Sequence, residues 1–461
     1  MKKSLLTILA LISVLTLCLG LGAAPVFNGV KSTANGYSTW DADMINVETV
    51  TQTGKGVYVA VLDTGLVPNW SDYFPAERVA TNLGTGFDQP VTFSAGKDPC
   101  EWDVYTGQLH QTSWVGSIGS SHGTHVASTI IGYFYRSNSD ELGGYPLPPI
   151  MVRGIAPDVT IIPVKVLADY QLPALPQCST PTAAENVVFG TDEMIAAGIN
   201  YVTDLALQGY RPMVINMSLG GGELAQVEQA AIDRAIANGV IVVASAGNEG
   251  ETGMGYPGAY APVISVGSVG WTKEWLKPGT QPVVGGTRYR MWWLKYPSLP
   301  VLPGTGDVAD PTAASDVYLS DFSSRELPGQ ELDVLAPGSW VRGPFGGDPG
   351  YNHLPWWSNG IGDLRGNNSG NFYYVGGTSM ASPHVASAAA LLLQKNPALQ
   401  QAQIEQILKK SAMALPSSAS RYIFDYSAPG TISWGTNCGG VSCDPVGAGL
   451  IQLDKAMKLV K

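Results

Sequence analysis

Val57-Tyr58-Val59-Ala60-Val61-Leu62-Asp63-Thr64-Gly65 is an unbroken apolar run that ends on a carboxylate and a turn. A strand with one wet face alternates polar and apolar residues; a run without alternation is covered on both faces, as strands of parallel sheets are. Runs of the same kind recur at 159–167, 213–219, 240–244 and 263–266. Between the runs at 213–219 and 240–244, residues 223–238 repeat apolar side chains at Leu224, Val227, Ala231 and Ala235 and stop at Gly239, which reads as a helix with its usual C-terminal punctuation. Strand and helix alternate, so the expected fold is α/β, with an open, mostly parallel sheet.

Asp63 closes its strand at the C-terminal end, where ligands bind in open α/β sheets. Far downstream, Gly376-Gly377-Thr378-Ser379-Met380-Ala381-Ser382-Pro383-His384 precedes a helix of Ala, Ser, Val and Leu that ends at Lys395-Asn396-Pro397. Ser379 thus stands at a helix N-terminus, where unpaired N–H groups and the positive end of the helix dipole favour a developing oxyanion. Pro383 is expected in the first turn of that helix, where a missing N–H costs nothing. Ser379 lacks a local base, and His122 in Ser120-Ser121-His122-Gly123-Thr124-His125 offers one. With Asp63 as the orienting carboxylate, these residue types make a nucleophile, a general base and its support. Taken singly, each has an ordinary structural reading as a turn residue, a polar group or a cap. Taken together, a structural reading of all of them requires three coincidences.

The order Asp63, His122, Ser379 is the subtilisin order, and Asp-Thr-Gly, His-Gly-Thr-His and Gly-Thr-Ser-Met-Ala-Ser-Pro-His each resemble a catalytic motif of the subtilisin-like serine proteases, the subtilases. Ala244-Ser245-Ala246-Gly247-Asn248-Glu249-Gly250 is similar to that family's oxyanion-hole loop. The resemblance spans about residues 37–450. It implies a three-layer sheet with helices on both faces, a secreted serine endopeptidase, and Asn248 as a side-chain donor to the oxyanion. It further implies that Ser218, Leu219 and Gly220 pair with the substrate backbone, and that Gly247, Glu249 and Gly255 form the primary pocket, fit for a medium or large apolar side chain. No cofactor is implied for the chemistry. Many subtilases bind structural calcium, and the acidic loops offer oxygens, although no ligand set can be named. His125 is read as a packing residue rather than half of a metal pair, and His110, His353 and His384 carry no assignable chemistry. A catalytically silent member used as a surface binding protein is disfavoured because all four positions are filled. A serine esterase is disfavoured because Gly-Thr-Ser-Met-Ala lacks the final glycine of the Gly-x-Ser-x-Gly elbow.

Length and composition agree. The 461 residues could form one large domain or two small ones, and motifs that must converge choose one, expected at 25–461 and monomeric. Charged residues are 14% and the net charge is −11, which excludes nucleic acid as a partner and leaves proteins or peptides as substrates. Residues 1–24, with Lys2 and Lys3, an apolar stretch and Ala23-Ala24-Pro25, have the layout of a secretory signal peptide. Export is the expected fate, and an uncleaved N-terminal anchor at the cell surface is the alternative. Cys18 follows Leu17, which argues against lipid attachment. Little more than residues 25–36 lies between this leader and the start of the resemblance, less than the prodomain with which exported subtilisins are typically made. Cys100, Cys178, Cys438 and Cys443 permit three pairings, of which Cys438 with Cys443 is the favoured bridge. Segments 74–114, 271–316 and 339–371 are rich in Gly, Pro, Trp and Asn and read as loop insertions, with Trp292-Trp293 and Trp356-Trp357 pinning loops to the body.

Overall fold

The computed structural model describes residues 27–461 apart from 97, 99, 117–120, 136–149, 179–182, 275–282, 285–286, 289–293, 295–307, 346–371 and 425–428. The leader with its anchor alternative, both Trp-Trp pairs and much of the two later insertions lie outside the described residues. No described helix is long and apolar enough to cross a membrane.

A nine-stranded sheet forms the middle layer. In chain order its strands are β1 (Tyr58–Asp63), β2 (Thr85–Asp88), β3 (His110–Thr112), β4 (Thr160–Lys165), β5 (Met213–Met217), β6 (Ile241–Ser245), β7 (Ile264–Trp271), β8 (Val317–Leu319) and β9 (Val334–Pro337). Across the sheet they lie β8-β7-β6-β5-β1-β4-β2-β3, with β9 also paired to β7. Every neighbour pair is parallel except β7 with β8 and β2 with β3. The expected apolar runs all fall in this sheet, and β5 and β6 are buried at every residue.

Because successive side chains of a strand point to opposite faces, one strand feeds two cores. Val59 and Val61 of β1 join a cluster with α1 (Ser121–Ile131), whereas Ala60 and Leu62 join another with α2 (Asp192–Leu207) and α3 (Gln226–Ala237). The helix α4 (Thr378–Lys395) lies with α1, and its residues 380–393 are buried without exception, as its Ala-rich sequence requires. Each fully buried aliphatic side chain contributes roughly 1.5–3 kcal/mol. The three layers are therefore held by the same residues that define the strands.

The 74–114 segment, read as a loop, instead supplies β2, β3 and a hairpin of Val91–Ala95 with Trp102–Thr106. Trp102–Thr106 is mostly exposed, so no apolar run announces it; pairing of β2 with β4 and β3 with β2 supplies the order. Cys100 is bonded to Cys178, which ties this segment to the chain just after the strand Ala168–Leu172, and Cys438 is bonded to Cys443.

Candidate active site

Asp63 ends β1 and is wholly buried; His122 is the second residue of α1, with 18% of its side chain exposed. Imidazole Nδ1 lies 2.8 Å from Asp63 Oδ1 and 3.0 Å from Oδ2. Thr64 N–H donates to the same carboxylate at 2.7 Å, and the Thr64 hydroxyl accepts from Gly123 N–H at 3.0 Å, locking the strand end to the helix start. Glycine is needed after His122, because a Cβ there would sit 2.4 Å from the Gly65 carbonyl oxygen and 3.1 Å from Asp63 Oδ1. Burial pulls the His122 pKa down, but the Asp63 charge and hydrogen bond outweigh it, and the net displacement is upward from the ordinary value.

Ser379 is the second residue of α4, so its N–H is one of the four first-turn donors that have no partner four residues back within the helix. Its hydroxyl is turned to the Ser218 carbonyl oxygen at 3.3 Å rather than to His122. Hydrogen bonds between a base and its nucleophile are often long or misaligned without substrate and tighten only when it binds. Asn248, just beyond β6, accepts Thr378 N–H at 2.9 Å and the Thr378 hydroxyl at 3.0 Å through Oδ1. With two donors fixing the amide oxygen, Nδ2 is the atom left to serve the cavity.

His122, Ser379, Asn248, Ser218, Leu219 and Gly220 all line one cavity of about 520 Å³. Gly247, Glu249 and Gly255 are not among the residues that line it. Gly247 has φ +106°, and a Cβ on it would meet Glu249 Oε2 at 2.3 Å. Glu249 Oε2 accepts the Ser324 hydroxyl at 2.9 Å, which engages its carboxylate inside the loop. Gly221 and Tyr256 exchange backbone hydrogen bonds at 2.8 and 3.1 Å, so the chain after Gly220 is already paired on that side. The wall also includes residues that the sequence did not single out: Phe189, Asp192, Ile195, Glu228, Tyr256 and Phe322. Only Glu228 left a signal, as an acid spaced with Leu224, Ala231 and Ala235 on the apolar stripe of α3.

His125 and His384 stand apart from this chemistry, and His353 lies outside the described residues. His125 is buried with Nε2 3.1 Å from the Val341 carbonyl oxygen, and burial together with the nearby His122 pushes its pKa down to about 3. His384 bridges the Met380 carbonyl oxygen at 2.9 Å and Asp41 at 3.0 Å inside the core. Glu331, Asp333 and Glu405 are, among the described residues, the one group of acids, histidines or cysteines close enough to share an ion. That set does not fit calcium as it stands, because the Lys409 ammonium donates to all three at 2.8, 2.7 and 3.3 Å.

Residues 54–433 match the sequence model of the subtilase family. The chain is 31% identical to subtilisin DY of Bacillus licheniformis over 304 residues, 65% of this chain and 73% of that one. It is 27% identical to fervidolysin of Fervidobacterium pennivorans over 443 residues, which are 93% of this chain but only 46% of that longer protein. Among solved structures, the S41 psychrophilic protease superposes with a TM-score of 0.51 at 22% identity, covering 91% of this chain and 99% of that one, a likeness in fold.

Proposed function

We propose, for a chain that belongs to the subtilase family and is a subtilisin-like serine endopeptidase, that it is exported and cleaves proteins or peptides through Asp63, His122 and Ser379. Ser379 Oγ attacks the peptide carbonyl while His122 Nε2 takes its proton. Nδ1 keeps its own proton because both Asp63 oxygens face it, and the ionised carboxylate stabilises the imidazolium that forms. The oxyanion is received by Asn248 Nδ2 and the Ser379 N–H, fixed donors that need no reorganisation as charge develops. His122 then protonates the leaving amine, and water repeats the sequence on the acyl-enzyme. The chemistry uses side chains and backbone alone.

One observation carries this reading: a buried carboxylate clamps Nδ1 of a half-open histidine at the wall of the cavity that also holds a helix N-terminal serine. A fluorophosphonate probe tests it by labelling the wild type and not Ser379→Ala; equal labelling of both would refute it. The apolar preference at the primary pocket is carried over from the family through Gly247, Glu249 and Gly255, which do not line the cavity. Strict cleavage after Arg or Lys would refute that part alone.

A further inference from the structure

The cavity does not end at the triad. It continues across the C-terminal edge of the sheet onto the α2/α3 face, where Asp192 opens α2, Glu223 precedes α3, and Glu228 lies in the first turn of α3. Asp192 and Glu223 are exposed at the mouth, whereas Glu228 is only 4% exposed. Its Oε1 has no hydrogen-bond partner, and none of the ion pairs among the described residues involves it. Burial raises its carboxyl pKa to about 7, and the Asp192 charge adds to the shift. Its neighbours on the helix stripe are apolar, so a leucine there would pack without the desolvation that a carboxylate suffers. An acid kept unpaired in a substrate cavity is a group waiting for a counter-charge.

We infer that this end of the cavity takes the side chain of a lysine or arginine of the substrate, its cationic head between Glu228 at the floor and Asp192 and Glu223 at the mouth, its apolar stem along Ile195 and Leu219. Long cationic side chains are suited to this arrangement, since the stem stays on apolar surface while the head reaches the charge. The inference rests on the peptidase reading above and deepens it. Ser379 starts α4 on one face of the sheet and Glu228 lies on α3 on the other, so their separation is on the order of a layer spacing, about 10 Å. Extended chain covers that in about three residues. The cation therefore belongs to a residue other than the one whose carbonyl is attacked, and an apolar primary pocket and a cationic remote subsite are compatible.

Internally quenched peptides with Lys, Arg, Leu or Glu scanned along the sequence test this. At one position remote from the cleaved bond, kcat/KM for Lys or Arg should exceed that for Leu by about tenfold, the worth of a hydrogen bond to a charged group. In Glu228→Gln that ratio should fall close to one, and because it is a ratio within one preparation it does not depend on how much of the variant folds. Asp192→Asn, at an exposed position, should reduce it by a smaller factor and serves if Glu228→Gln cannot be made. A library flat at every remote position, or a preference that survives these substitutions, overturns the subsite while Ser379-dependent cleavage stands. Cleavage unaffected by Ser379→Ala overturns the peptidase reading and takes the subsite with it.

Discussion

Ser218 and Ser379 hold each other: the Ser218 hydroxyl donates to the Ser379 carbonyl oxygen at 2.7 Å, and the Ser379 hydroxyl donates to the Ser218 carbonyl oxygen at 3.3 Å. The first bond exists because of Pro383. In a helix the Ser379 carbonyl would accept from the N–H four residues on, and that residue is the proline, which has none. Ser218 takes the vacant place and is itself oriented by Asn216 Nδ2 at 3.1 Å, while Asn216 Oδ1 accepts the Ser382 hydroxyl at 2.8 Å. The backbone of Ser379 is thus fastened to the chain just beyond β5.

Ser218→Ala should leave that carbonyl without a donor and loosen the nucleophile. We expect kcat to fall about tenfold with little change in KM, in line with the sensitivity of catalysis to small misplacements, and stability to fall by about 1–3 kcal/mol. Steady-state kinetics and thermal unfolding check both; an unchanged kcat would mean that the anchoring is incidental.

The base must be neutral to accept a proton, and the Asp63 charge raises the His122 pKa against the pull of burial. The acid limb of kcat/KM should therefore lie above the ordinary imidazole value of about 6.5. Asp63→Asn removes the raising cause and leaves the lowering one, so the limb should move to lower pH while kcat drops by about 10⁴, the loss known for this change in a serine protease triad. The linked stability has the same sign: the pair's contribution is full below about pH 6.5 and is lost as pH rises through the folded-state pKa of His122. A limb that stays in place in Asp63→Asn would contradict the assignment.

If Asn248 Nδ2 receives the oxyanion as proposed, Asn248→Ala should lower kcat far more than it raises KM, because that charge exists only in the transition state. Subtilisin loses about 10² to 10³ in kcat when such a donor is removed. A change confined to KM would instead make Asn248 a ground-state contact.

Lys409→Met should destabilise the fold by about 1–3 kcal/mol, less than a fully buried pair would cost, because the lysine side chain is 30% exposed. It leaves Asp333, 1% exposed, beside Glu331 and Glu405 without its cation. Calcium should then raise the Tm of the variant more than that of the wild type. Equal calcium responses would show that the cluster is not a site even when emptied.

Much of the fold was legible because burial writes itself into composition: β1, β5 and β6 are apolar without alternation, and α4 is small and apolar all round. The pairing of Asp63 with His122 was legible because each sits in a distinct local word. What escaped was set by partners distant in sequence. Residues 85–88 become a strand only because β4 offers an edge. Pro383 was expected in the first turn, yet α4 begins at Thr378 and the proline is its sixth residue; the helix tolerates it there because Ser218, remote in sequence, supplies the lost donor. Gly247, Glu249 and Gly255 were placed on the pocket wall by resemblance, whereas the loop engages Glu249 with Ser324. Glu228 was visible as an acid on an apolar stripe, but its meaning needed the cavity.

Whether Ser379 is the nucleophile served by His122 and Asp63 is decided most directly by casein hydrolysis with wild type and Ser379→Ala, purified in parallel. Ser379→Ala should lose about 10⁶ in kcat, the size found when subtilisin loses its nucleophile, with a Tm close to that of the wild type. A loss of only a few-fold in a folded variant would contradict it.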